Sequence, residues 1–331
     1  MKKILITTIP FGDPVEKPLN LLNDAGIEYV INPFNRKITE DDLKKIIFDF
    51  DGLIAGTENI SKEIIDLAPK LKIIARVGVG TDGVNLNYAK EKNIKVTYTP
   101  DAPGPAIAEL TIGFMYSLLR STHIANLKIR QGKWNRSIGR SFSDMTIGVI
   151  GAGRVGSRVI DLISKIGCKK LLVSDIYPNE SLKEKYGFEW ASKEKVFKDS
   201  DIITFHVPLT ADARGMVKKN ELLSMKKDAF IINTARGGII DEDDLYNVMQ
   251  SGHIAGVAID VFNEEPYTGP LINIDRCLLT PHIGSASREC RAKMELESVQ
   301  EIIRFFNNEK LLSPVPEAEY ILQKQQTWKR L

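Results

Sequence analysis

The chain has 331 residues, 45 basic against 43 acidic side chains, a formal charge of +2 and 43% hydrophobic residues. That balance excludes intrinsic disorder and collagen-like composition, and the interspersed charges form no basic block to serve nucleic acid or an anionic membrane as a partner. At about 150 residues per domain, the length predicts one large domain or two moderate ones. The opening Met1-Lys-Lys-Ile-Leu-Ile-Thr-Thr8 is basic then apolar, but it runs into Phe11-Gly-Asp-Pro14 without a small-residue cleavage site, so it reads as a strand. The longest apolar stretch, Ala106 to Leu119, carries Glu109 and falls short of the roughly 20 residues that span a bilayer. Cys168, Cys277 and Cys290 form no Cys-x-x-Cys pair, which argues against a disulfide framework or a metal site and predicts a soluble protein of the reduced cytoplasm.

Short β-branched runs at Ile4–Thr8, Tyr29–Ile31, Gly52–Ala55, Lys72–Val77 and Lys95–Thr99 alternate with helical patterns at Asp41–Phe48 and Ser61–Leu67, the latter opened by a Ser N-cap. Parallel strands with crossover helices follow. Three prolines and a glycine in Thr99–Pro105 mark a hinge, after which a helix apolar on nearly every face runs from Ala106 to Arg120. Such a helix needs cover on several sides, and a second subunit is the favoured cover. Strand and helix alternation restarts at Met145–Ile150 and continues through Leu171–Ser174, Ile202–Phe205, Phe230–Asn233 and Ala255–Ile259. One amphipathic helix from Ser287 to Phe306 then returns the chain to the first unit.

Directly after the strand ending at Ile150 stands Gly151-Ala-Gly153-Arg-Val-Gly156, followed by a helical pattern from Arg154 to Ile166. In this strand-to-helix context the glycines read as a dinucleotide signal: Gly151 for the tight turn, Gly153 for close approach to the diphosphate and Gly156 for helix packing on strand. The helix N-terminus offers N–H groups and a partial positive charge to the phosphates. Asp175 ends the next strand, 19 residues beyond Gly156, where a carboxylate binds ribose hydroxyls and would repel a 2′-phosphate. The expected cofactor is therefore NAD.

Three further groups lie at later strand ends: Asn233-Thr-Ala-Arg236-Gly-Gly, Asp260-Val-Phe-Asn-Glu-Glu265-Pro and Leu279-Thr-Pro-His282-Ile-Gly284. With Arg76-Val-Gly-Val-Gly-Thr-Asp82 and Gly132-Lys-Trp134, they make the chain resemble the D-isomer-specific 2-hydroxyacid dehydrogenase family over nearly its whole length, in a phosphoglycerate dehydrogenase-like pattern. The resemblance implies two doubly wound parallel-sheet α/β domains, a Rossmann NAD-binding domain (100–289) inserted in a flavodoxin-like substrate domain (1–99 and 290–331). It implies an NAD-dependent oxidoreductase that interconverts a D-2-hydroxy acid and its 2-oxo acid, with Arg236, Glu265 and His282 as catalytic residues; the apolar helix and the frequency of two-fold dimers add the expectation of a homodimer.

The roles it implies are physically coherent. His282 is the natural general acid for the carbonyl oxygen and the base in reverse. Glu265 would hydrogen-bond its far ring nitrogen and favour the imidazolium, while Arg236 offers a permanently charged fork to the substrate. Backbone N–H groups at Gly78, Val79 and Gly80 would grip the substrate carboxylate, and Asp260 the nicotinamide carboxamide. Arg154 and Val155 would serve the phosphates, and Val207, Pro208, Thr234, Ala235 and Gly284 would line the cofactor. No metal is implied. The chain departs from the phosphoglycerate enzymes at Ala55-Gly-Thr-Glu58, where a phosphate-gripping Arg is absent, leaving Arg76 as the candidate for a distal anion. The alternatives are glyoxylate or hydroxypyruvate reduction on the same scaffold, or an NAD(H)-sensing interaction protein of corepressor type.

Overall fold

The computed structural model describes residues 2–13 and 15–325, so the last six residues of the segment expected at 290–331 lie outside the described residues. Two compact units are present, Met1–Pro103 with Ser285–Leu331, and Gly104–Gly284. They part a few residues from the boundaries expected at 99/100 and 289/290. The hinge reads differently from expectation: the helix starts at Gly104 and takes Pro105 into its first turn. There the missing proline N–H has no intrahelical partner to lose and the fixed φ is already helical.

In the first unit, β1 (Lys2–Ile6), β2 (Ile27–Ile31), β3 (Gly52–Ala55), β4 (Ile73–Arg76) and β5 (Lys95–Thr97) form a parallel sheet in the order β2-β1-β3-β4-β5. This is the doubly wound flavodoxin-like order. Every residue of β3 and β4 is buried, because elements packed on both faces require strands that are apolar on both sides. Leu5, Leu53, Ile74 and Val96 enter a core with Leu43, Ile64 and Ala89. On the opposite face Gly52 lies under Ile4, Ile73 and Ile302. Ile302 belongs to the helix Arg288–Phe306, opened by Ser287, whose hydroxyl accepts the Cys290 N–H at 3.2 Å. Chain from beyond the second unit thus completes the first.

The second unit holds β6 (Thr146–Ile150), β7 (Lys170–Ser174), β8 (Glu189–Trp190), β9 (Ile202–Phe205), β10 (Phe230–Asn233), β11 (Gly256–Ile259) and β12 (Cys277–Leu279), all parallel in the order β12-β11-β10-β9-β6-β7-β8. Read from β8, this is the Rossmann order with one strand added beyond the sixth. Strands β8 and β12 are too short to show a period in the sequence. Alternate residues feed two cores, Ile203, Phe205, Ile231 and Val257 on one face, Ile147, Val149, Ile232 and Ala258 on the other.

The helix Gly104–Arg120 belongs to the second of these cores through Ala108, Phe114, Met115, Leu118 and Leu119. It packs on the helix Gly156–Ile166 and on β10 and β11. Its apolar character is therefore largely satisfied within its own unit, and does not by itself call for a partner subunit as the sequence suggested.

Candidate active site

Parallel order brings the C-terminal ends of all seven strands to one edge of the second sheet, where open α/β sheets bind ligands. Strands β10, β11 and β12 are neighbours there, and their following loops carry Arg236, Glu265 and His282. The loops are tied by the same ladder: Asp260 N–H donates to Asn233 O at 3.0 Å and Thr280 N–H to Ile259 O at 3.0 Å.

Nδ1 of His282 lies 3.0 Å from both Oε1 and Oε2 of Glu265. A carboxylate at that distance fixes the tautomer with the proton on Nδ1. His282 itself has φ of +56°, a left-handed conformation that costs a non-glycine residue on the order of 1 to 3 kcal/mol. Asp260 holds it there. Its carboxylate is fully buried and accepts from Thr280 Oγ1 at 2.6 Å, Ile283 N–H at 2.8 Å and Gly284 N–H at 2.8 Å, while its carbonyl accepts the His282 N–H at 2.9 Å. Burial pushes the Asp260 carboxyl above the ordinary range, against the pull of these donors. The sequence suggested only a contact with the nicotinamide; the loop-holding role escaped it because the donors lie 20 to 24 residues away.

The Arg236 loop is braced by Asn233, whose Nδ2 donates to Arg236 O at 2.9 Å and whose Oδ1 accepts Ala235 N–H at 3.1 Å. Gly237 has a sharper reason than relief of bulk: a Cβ there would fall inside the Phe262 carbonyl group. Only glycine lets the Arg236 loop lie against the loop that leads to Glu265. Thr234 is buried with its hydroxyl 3.0 Å from that of Thr111.

Further along the edge, Gly151 has φ of +94°, and a Cβ on it would meet His206 O at 2.6 Å and Val207 Cγ1 at 2.8 Å. A Cβ on Gly156 would overlap the Gly151 carbonyl oxygen, whereas one on Gly153 would meet nothing within 4 Å. The first and last glycines close the turn and the middle one leaves it open on the ligand side, a cradle that fits a dinucleotide diphosphate. The helix proper starts at Gly156, after Arg154 and Val155, and no side chain caps it. Asp175 follows β7, its Oδ2 accepting Ala152 N–H at 2.6 Å and its Oδ1 Tyr177 N–H at 2.8 Å. It clamps the glycine turn. His206 precedes Val207 and Pro208, with Nε2 3.0 Å from Thr204 Oγ1, and burial pushes its imidazole down to about 3, so it is neutral at working pH.

In the first unit, β4 ends at Arg76, and Gly78–Gly80 follow. Two expectations change here. The Arg76 side chain is buried and turns back, donating through Nη1 to the Val77 carbonyl, rather than reaching out for a distal anion. The Gly78 N–H, expected to grip a substrate carboxylate, instead donates to Thr99 Oγ1 at 2.8 Å.

A family model described as "D-isomer specific 2-hydroxyacid dehydrogenase, NAD binding domain" matches residues 112–284. A hydroxypyruvate reductase of Thermotoga maritima is 34% identical over 302 residues, covering 88% of this chain and 96% of that one. A D-3-phosphoglycerate dehydrogenase of Methanocaldococcus jannaschii is 35% identical over 314 residues, 92% of this chain but 58% of that protein. Among solved structures, the TT0316 protein of Thermus thermophilus superposes with a TM-score of 0.85 at 29% identity, covering 95% of this chain and all of that one. The chain belongs to the D-isomer specific 2-hydroxyacid dehydrogenase family, and is an NAD-dependent oxidoreductase of 2-hydroxy acids.

Proposed function

We propose that the chain reduces a small 2-oxo acid to its D-2-hydroxy acid, reversibly, with His282 as general acid and base. The observation that carries this reading is the Glu265–His282 pair at 3.0 Å, on strand ends beside the Arg236 loop. Bound NAD(H) supplies or accepts the hydride. With Nδ1–H held by the Glu265 carboxylate, Nε2 is the nitrogen that exchanges a proton with the substrate oxygen. Arg236 pairs with the substrate carboxylate or carbonyl, and the Val79 and Gly80 N–H groups hold the carboxylate. Asp260 keeps His282 in its strained backbone setting and borders the carboxamide. The unit formed by both chain ends takes the substrate and the inserted unit the cofactor: Gly151, Gly153 and Gly156 with the N–H groups of Arg154 and Val155 at the diphosphate, Asp175 at the ribose, and Val207, Pro208, Thr234, Ala235 and Gly284 along the rest.

The test is a panel of 2-oxo acids (glyoxylate, hydroxypyruvate and 3-phosphohydroxypyruvate among them) followed by loss of NADH absorbance. Turnover of at least one is expected; tight NADH binding with none turned over would favour a sensing protein instead. Asp175→Ala should weaken binding of both cofactors, because the glycine turn loses its clamp. NADH should suffer more than NADPH, narrowing the preference by about tenfold, roughly 1.4 kcal/mol. Titration of each cofactor by fluorescence checks this, and an unchanged ratio would assign the ribose to another group.

The reading includes a homodimer in the cytoplasm. Support for the dimer comes from Tyr116, Ile129, Trp134 and Ile138, large apolar side chains in one stretch of the second unit that are 42%, 52%, 81% and 103% exposed. Exposed apolar side chains of this size favour a covered surface, and two-fold dimers are the commonest assemblies. Support for a reducing compartment comes from the three free thiols, with burial pushing Cys277 up to about 12 and Cys290 to about 11.

A further inference from the structure

The chain that follows the helix Arg288–Phe306 runs on along the first unit. Residues 313–315 pass antiparallel beside β5, the last strand of the sheet order: Tyr98 N–H donates to Ser313 O at 3.1 Å, Val315 N–H donates to Val96 O at 3.0 Å, and Thr97 bridges Pro314. The helix Glu317–Gln325 then packs on the helix Leu86–Glu91. Within it Gln323 is only 7% exposed, and no step of the chemistry above uses it. A polar side chain buried to that degree is kept where it has partners to satisfy.

Both ends of the Gln323 amide meet backbone. Its Nε2 donates to Val84 O at 2.8 Å and its Oε1 accepts Asn87 N–H at 3.3 Å. Asn87 Nδ2 in turn donates to Tyr320 O at 3.1 Å, and Lys90 pairs with Glu317 at 2.8 Å. A second tether lies closer to the Gly78–Gly80 turn: Thr81, the residue after Gly80, donates through Oγ1 to Glu319 Oε2 at 3.4 Å. Val84 is 1% exposed and its N–H donates to Thr81 O at 3.1 Å, so Glu319 and Gln323 hold the two ends of one short turn. Ile60 holds the same turn, its N–H donating to Gly83 O at 2.7 Å and its carbonyl accepting Asn85 N–H at 3.0 Å.

We propose that Gln323 is a positioning residue for the substrate carboxylate: by fixing the Val84 carbonyl, with Glu319 at Thr81, it sets where the Val79 and Gly80 N–H groups stand. The inference rests on the preceding reading, in which those two groups hold the carboxylate. Glycines at 78 and 80 give this stretch little stiffness of its own. Binding groups must nevertheless be held to a fraction of an ångström, and a displacement of about 1 Å can cost about a hundredfold. The hydrogen bonds from the helix Glu317–Gln325, made by residues 236 to 239 positions along the chain from their partners, supply that restraint. Gln323 touches no reacting atom, so its effect falls on the grip of the acid and not on the hydride or proton step.

The test uses the full chain and its Gln323→Met variant, which keeps the length and bulk of the side chain but has no amide to bridge Val84 and Asn87. The substrate is the 2-oxo acid of the panel above that the wild type turns over fastest, under saturating NADH. Its KM is expected to rise about tenfold, while kcat and the dissociation constant of NADH stay within about twofold of the wild type. A lowered melting temperature with KM unmoved, the mark of a role in stability alone, overturns the proposal, as does a fall in kcat without a change in KM. Should Gln323→Met fold poorly, Glu319→Ala decides: loss of the acceptor at Thr81 should raise KM about threefold at unchanged kcat, and an unmoved KM overturns the proposal. Turnover by the wild type with KM indifferent to these substitutions leaves the oxidoreductase reading intact, whereas failure of the wild type on every 2-oxo acid tried overturns both.

Discussion

His282→Ala is expected to lower kcat by about a hundred- to ten-thousandfold, the usual contribution of a positioned general acid, while the dissociation constant of NADH stays nearly unchanged. The imidazole exchanges its proton with the substrate oxygen as that bond is made or broken, so its loss removes an interaction of the transition state, and kcat and kcat/KM fall together. A thousandfold loss corresponds to about 4 kcal/mol of barrier. Glu265→Gln keeps an acceptor for Nδ1–H but not its charge, and should cost less. Because Glu265 acts through the ring it holds at 3.0 Å, the double variant should be scarcely worse than His282→Ala alone. Stopped-flow measurement of NADH oxidation and fluorescence titration of NADH separate the two quantities. Near-native turnover in His282→Ala would remove the imidazole from the reaction.

The second large effect is expected at Gly156, with Gly153 as its contrast. A methyl on Gly156 has no room, since the Gly151 carbonyl oxygen occupies its place, so the turn and the helix Gly156–Ile166 must separate. Gly156→Ala should destabilise the unit by about 1 to 3 kcal/mol through overpacking and abolish measurable NADH binding. Gly153→Ala meets no atom of the protein within 4 Å and should melt like the wild type. It should nevertheless bind NADH at least about tenfold more weakly, because its methyl stands where the backbone approaches the diphosphate. Differential scanning fluorimetry without cofactor, beside NADH titration, reads both variants. A Gly153→Ala protein that binds NADH normally would move the diphosphate away from this turn.

These two glycines mark the limit of what the chain discloses unfolded. The turn Gly151–Gly156 and the carboxylate of Asp175 are legible because a strand, a turn and a helix in succession impose their spacing locally. That the strands run parallel with crossover helices follows from the alternation of β-branched runs with helical patterns, and the doubly wound orders came with the family resemblance. What stayed hidden depends on partners far along the chain: the Asp260 carboxylate beneath the His282 loop, the Phe262 carbonyl over Gly237, the Thr99 hydroxyl on the Gly78 N–H. The folding back of Arg76 was equally hidden, because a guanidinium offers the same fork to a ligand or to its own backbone, and only packing decides between them. Strands β8 and β12 went unread since two or three residues carry no period.

The way the first unit is completed has a consequence for how the protein is made. Its sheet emerges from the ribosome within the first hundred residues, but the helix carrying Ile302, which covers Ile4, Gly52 and Ile73, is synthesised only after the whole inserted unit. Throughout that interval Ile4, Gly52 and Ile73 lack the helix that covers them, while Gly104–Gly284, contiguous and compact, can fold as soon as it clears the exit tunnel. The first unit to begin is therefore the last to be finished, and the interval in which these residues wait for their cover is as long as the time taken to translate the insert.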